Sequence, residues 1–360
     1  MRIQTRLGMA SKIPFMVYLL GVLIFLGSCN DGPEDIDLDE VSIDFRSHRL
    51  DQDMVAFAKA YQQGSRPDSS QLFQQHLAAH KDFLKDWLFY GEPGIATDSV
   101  LTVFMAEFLS DTNTHSLLTD IQTAFPADGQ NPLLSLENLL LRFKYYFPND
   151  PTPAVLTFAD GYPPTVQAGL EQVFITRQFI GVGIHYLMGS SYRYYPPDMP
   201  QYLRRRCNSD FLPATVAHQY ADILIPPPAI EKNPVLIDHV VQQGLQLYLV
   251  DKLLGPEVPD STKFYYTDQQ MLWANTYEAR AYKEMVDLLY EVDAYVIRRY
   301  TDDSPFTSQL ARESAPRLGQ FIGWKIVSQY AEKFSDESLA ELIAHTDYQQ
   351  VFKRSGYRPE

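Results

Sequence analysis

The sequence predicts an α+β body, mostly helical, with a small mixed sheet and helices packed on it. Three observations predict this. Helical apolar spacing dominates before Pro148 and again after Asn233. Strand-like patterns cluster between Pro151 and Met188. A hydrophobic content of 45% with 23 tyrosines marks a folded globule, not a disordered stalk.

The elements follow in order. From Gln71 to Tyr90, Phe73, Leu77, Leu84, Trp87 and Leu88 recur near a 3.6 period, and Gly91 acts as a stop. Asp98 is placed to cap a second helix carrying Leu101, Phe104, Met105 and Phe108. Asn131-Pro132 starts another, because proline fits the first helical position, and it runs to about Phe147. PTPAVLTFAD reads as a short strand, EQVFITRQF alternates at period two, and IGVGIHYLMG is a β-rich apolar run closed by Gly189. The tyrosine- and proline-rich loop SSYRYYPPDMPQYLRRR comes next. Asn233-Pro234 opens a helix ending at Gly255, and Thr267 with Gln270 makes a capping box for another. Leu318 to Phe334 is helical, with Phe321, Ile322, Lys325 and Ile326 at helical spacing, and Thr346 with Gln349 caps a last short helix.

The N-terminus carries targeting information. Arg2, Arg6 and Lys12 form a positive leader, the apolar run PFMVYLLGVLIFL follows, and Leu26-Gly27-Ser28-Cys29 closes it. The run suits a signal-peptide core and is short for a membrane span of roughly 20 residues. The closing tetrad resembles a bacterial lipobox, which predicts a signal peptide over 1–28 and lipid on Cys29. The alternative is an ordinary secretory signal that happens to end near a cysteine. Several acyl chains on one cysteine give stable attachment where one does not. Cleavage leaves 332 residues and takes the net charge from −15 to −18. Residues 30–44 hold seven acidic residues and no basic one, so 29–45 reads as the lipidated cysteine and a solvated acidic tether. A surface-export signal is the sharper reading of the same stretch. The acidic balance speaks against nucleic acid as a partner. Cys207 is the only mature cysteine besides Cys29, which leaves no intrachain disulfide if Cys29 is lipidated. The rest divides into an N-terminal helical region, 46–150, and an α+β region, 151–360.

One stretch is laid out like a zinc site. A helix with His at i, Glu at i+1 and His at i+4 puts two imidazoles on one face, and the Glu activates a water. Here the frame is His218-Gln219-Tyr220-Ala221-Asp222. Gln219 has no useful basicity, so it cannot serve as the general base. Asp222 can bind metal in place of the second histidine, and Gln243 stands where a third, acidic ligand is wanted. An ordinary amphipathic helix explains the same residues. His76 and His80 also stand at i, i+4, without a visible third ligand. Gly181-Val182-Gly183 reads as close backbone packing, and Arg204-Arg205-Arg206 as a solvated face or a partner for an acidic surface, with a phosphate site the less favoured reading. Tyr192, Tyr194, Tyr195 and Tyr202 would suit a protein interface if exposed together. No nucleophile elbow and no P-loop is present.

Several segments together resemble a known family. GVGIHYLMGSSYRYYPPDMPQYLRRR, HVVQQGLQLYLVDKLLG, FYYTDQQMLWANTYEARAY, APRLGQFIGWKIVSQYAEK and the closing VFKRSGYRPE are similar to GldB, the gliding-motility lipoprotein family of Bacteroidota. The resemblance implies a place in the cell envelope and a part in gliding linked to type IX secretion, with envelope machinery proteins as partners. It leaves open the inner or outer membrane and the periplasmic or outer face. The same segments distantly resemble predicted zinc proteases of zincin-type fold, which implies a zincin-like body over 151–360. Only His218 carries over as a ligand; Gln219, Asp222 and Gln243 depart from the pattern. The expectation is a non-enzymatic interaction module with no catalytic residue and no cofactor. The alternatives are a zinc-dependent hydrolase using His218 and Asp222, or a glycan- or peptide-binding lipoprotein.

Overall fold

The computed structural model describes residues 36–64, 68–89, 97–160, 172–307 and 311–360. The expected signal peptide, the expected lipidation site Cys29 and the part of the expected tether before Ile36 lie outside the described residues. Asp37–Glu360 is one compact unit. Ile43 and Phe45 are partly buried against its core, so the end of the stretch expected to be a tether packs on the body.

β1 (Ser47–His48) leads into α1 (Leu50–Gln63), α2 (Ser69–His76), α3 (Lys81–Phe89), α4 (Asp98–Ser110) and α5 (Thr112–Ala124). A 3₁₀ segment, Pro132–Leu136, runs into α6 (Glu137–Tyr146), with the Asn131 side chain capping its start. The strands β2 (Ala154–Phe158), β3 (Val173–Ile175) and β4 (Phe179–Gly183) follow. Short α7 (Gln201–Arg204) precedes α8 (Leu212–Leu224), α9 (Leu236–Leu254), α10 (Asp260–Lys263), α11 (Asp268–Thr276) and α12 (Glu278–Val286). The chain ends in α13 (Ala294–Thr301), α14 (Leu318–Lys333), α15 (Leu339–Ile343) and α16 (Tyr348–Ser355). The α+β, mostly helical class holds.

Among the described residues the sheet has the order β1-β2-β4-β3. β2 runs parallel to β1 and β4, while β3 is antiparallel to β4, so the sheet is mixed. Strand side chains alternate between faces, and here each face meets a different core. Leu156 and Phe158 join α1–α5, with Leu50, Phe57, Phe73, Phe83 and Leu101. Val155, Val173, Ile180 and Val182 join the later helices, with Leu212, Leu245, Phe321 and Tyr330. A sheet covered on both sides reads as the near-continuous apolar runs seen between Ala154 and Leu187. Gly181 pairs with Phe174 across β3–β4, and a Cβ on it would run into the Phe174 ring.

Several local features depart from the sequence reading, among them the last helix, whose N-cap is Asp347 rather than Thr346, its carboxylate accepting from the Gln350 amide. β1 stands inside the segment expected to be helical. The helix expected over 71–90 is broken: α2 ends at His76, a 3₁₀ turn spans Ala78–His80, and α3 begins at Lys81. Thr97, not Asp98, caps α4, its hydroxyl accepting from the Val100 amide. The Thr267–Gln270 capping box forms as expected. No helix among the described residues is long and apolar enough to cross a membrane.

Candidate functional site

α8 carries the zinc-like frame. Pro213 sits in its first turn, where a missing N–H costs nothing. Leu212, Ala214, Val216, Ala217, Tyr220 and Ala221 bury one face. His218, Gln219 and Asp222 are left on its flank, and the spacing of four puts His218 and Asp222 on one side.

Their side chains turn to different partners. The His218 imidazole donates from Nε2 to the Lys263 carbonyl at 2.8 Å, and its ring stacks on Tyr265 at 4.5 Å and 20°. Burial, reinforced by the Arg317 guanidinium, pushes the His218 pKa down to about 3, so the ring is neutral at pH 7. The Asp222 carboxylate accepts from the Gln246 amide at 3.0 Å. Desolvation raises its pKa above the usual carboxylate value, opposed by the charge of Arg317. Gln243 points elsewhere and donates to the Thr301 carbonyl on α13 at 3.3 Å. Its neighbours Gln242 and Gln246 both donate to the Ile225 carbonyl, tying off the end of α8. The glutamines of α9 are therefore structural ties.

Behind His218 lies a charged group that links distant segments. Arg206 forms a two-pronged pair with Asp303 at 2.8 and 2.9 Å. Arg317 pairs with the same carboxylate at 3.2 Å and donates to the Phe264 carbonyl at 2.8 Å. Burial alone would raise the Asp303 pKa, but the hydrogen bonds from Arg206 and the charge of Arg317 outweigh it and bring it to about 2. Tyr265 sits at the centre in the left-handed region, at φ 56°. A bulky residue is strained there and stays only when its surroundings hold it. Arg205 donates to its carbonyl at 2.6 Å, Arg206 lies 4.3 Å over its ring, and its hydroxyl donates to Thr215 at 3.3 Å. Two guanidinium groups against one carboxylate leave a net positive charge beside His218. Tyr202, Arg205, Arg206, Tyr265, Thr267 and Gln270 line an adjoining cavity of about 620 Å³.

A zinc ion does not fit this arrangement. Asp222 turns to the Gln246 amide and Gln243 to the Thr301 carbonyl, so neither converges with His218 as a further ligand, and Gln219 supplies no base. The Arg317 charge falls on both His218 and Asp222. A guanidinium is not deprotonated in proteins, so it opposes a second cation. Arg317, Asp303 and Tyr265 went unseen in the sequence, where nothing in APRLG, TDDSP or FYYTD marks them as partners.

The arginine run is not a solvated face. Arg204 donates to the Tyr195 and Pro196 carbonyls and so braces the tyrosine loop internally, while Arg205, donating to Tyr265, and Arg206, donating to Asp303, pin that loop to the body. The four tyrosines that would suit an interface if exposed together are not so exposed. Tyr195 is core, 2% exposed, with its hydroxyl donating to the His185 carbonyl, and it packs with Tyr186, Met199 and Cys207. Tyr192 is partly buried and donates to Asp120, and Tyr194 is partly buried beneath Arg193. Tyr202, also partly buried, borders the cavity.

No curated protein and no solved structure matches the chain. The family model described as gliding motility protein GldB matches residues 31–359, which takes in both cores, the sheet and the arginine–histidine group. By that match the chain belongs to the gliding motility protein GldB family.

Proposed function

We propose that the protein serves gliding as a non-catalytic interaction module, held on an envelope membrane through lipid on Cys29 and working with proteins of the gliding and type IX secretion machinery. The observation that carries this reading is Arg317. It holds a fixed positive charge against His218 and Asp222, at the two positions where a related hydrolase would hold its metal. With Gln219 unable to act as a base, the frame keeps a shape and lacks the means of activating water. The acidic tether over 29–45 spaces the body from the lipid, and the cavity beside Tyr202 and Arg206 offers a place for a partner segment to dock.

The experiment is deletion of the gene. Cells should lose spreading on agar and keep growth in liquid, and the full-length gene should restore spreading. A deletion strain that spreads normally would overturn the reading.

A further inference from the structure

In the sequence His76 and His80 stand four apart on one expected helix. The structure breaks that helix at Leu77, and His80 lies on the 3₁₀ turn Ala78–His80. It meets two residues from other elements instead: His48 at the end of β1 and Asp53 in the first turn of α1.

We propose that His48, Asp53 and His80 bind one divalent transition-metal ion of zinc type. One ligand atom from each residue lies within 4.8 Å of the other two. His48 Nε2 is 2.5 Å from Asp53 Oδ2, and His80 Nε2 is 3.8 Å from the same oxygen. The two imidazoles stack at 4.1 Å with 25° between their planes, and both Nε2 atoms approach the same Asp53 oxygen. Tetrahedral zinc with bonds of about 2.0–2.2 Å spaces its ligand atoms by about 3.3 Å. The two separations to Asp53 Oδ2 bracket that value and the three ligand atoms lie within 4.8 Å of one another, so side-chain adjustment would bring all three onto one ion.

The chemistry of the donors agrees. Two imidazole nitrogens and a carboxylate oxygen suit zinc, nickel or copper better than calcium or magnesium. The side chains of His48, Asp53 and His80 are 43%, 31% and 24% exposed. Water therefore has access to complete the coordination, and an ion can enter without unfolding. Bound there, the ion would tie β1, α1 and the 78–80 turn at the point where the tether joins the folded body. Metal affinity built into folded geometry is folding free energy, so the N-terminal layer should gain stability.

The test uses the full-length protein in detergent, stripped with a chelator and titrated with Zn²⁺ against a chromophoric competitor. One equivalent of zinc should bind and raise the Tm. Asp53→Asn and His80→Ala should each weaken binding by more than about 100-fold, beyond the effect of losing an outer-shell partner. His218→Ala should leave binding unchanged, which separates this site from the α8 frame. In the unaltered protein, zinc should protect His48 and His80 from diethylpyrocarbonate, read by peptide mass spectrometry, and this arm needs no variant to fold. Absence of stoichiometric zinc, binding that survives in both variants, or unprotected histidines would overturn the proposal.

Discussion

At the scale of single residues, the Arg206–Asp303–Arg317 group is where one substitution should be felt most. Asp303→Asn leaves two guanidinium groups facing each other without their shared carboxylate. Breaking a buried pair from one side costs about 3–5 kcal/mol, and with Asp303 35% exposed the lower end is expected. The pH dependence follows from the carboxyl pKa of about 2 in the folded protein, against roughly 3.9 in an unfolded chain. A depressed carboxyl contributes stability that is full above the unfolded value and is lost as pH falls through the folded one. Thermal melting should therefore show a wide Tm gap between wild type and Asp303→Asn at pH 6. The gap should close between about pH 4 and pH 2. A gap that stays constant over that range would separate Asp303 from the arginines. His218 was legible as a distinctive residue, but its partners were not. Lys263, Tyr265 and Arg317 come from a helix end and two left-handed positions that no local pattern announces.

At the scale of elements, the crossing of α9 and α14 governs the second core. A Cβ on Gly244 would lie 2.2 Å from the Gly323 carbonyl carbon, and one on Gly323 would lie 1.9 Å from the Val240 carbonyl oxygen. The helices meet backbone to backbone, and neither can yield without the other moving. Gly323→Ala should lower stability by at least about 1–3 kcal/mol, the usual cost of overpacking, measured as a drop in Tm with helical content retained. An unchanged Tm would mean the helices are not held so close. The contact also explains Gln243-Gly244 without catalysis, since Gly244 is the crossing point and Gln243 caps a carbonyl of α13. Elements with local signals were readable: the Asn131 cap, the Thr267–Gln270 box and the Leu318–Lys333 helix. β1 was not, because two residues carry no alternation. The break at Leu77 was hidden because Phe73, Leu77, Phe83 and Leu84 keep burying one side through the 3₁₀ turn.

At the scale of the whole molecule, one mixed sheet serves two cores, and the class was legible because the strand signals sit together between Pro151 and Met188. The placement of the arginine–histidine group was not, since it assembles from the turn after α7, from α8, the loop after α10 and the segment between α13 and α14. The central claim is that this group builds an interaction module and performs no metal-dependent step. The measurement that tests it most directly is complementation of a deletion strain with His218→Ala, scored for spreading on agar, with localisation and Tm measured on the same protein. Loss of the imidazole strands the Lys263 carbonyl, and a stability cost of about 1–3 kcal/mol is expected. Spreading should nevertheless return to nearly the wild-type extent. A folded, correctly localised His218→Ala protein that leaves the cells unable to glide would contradict the claim.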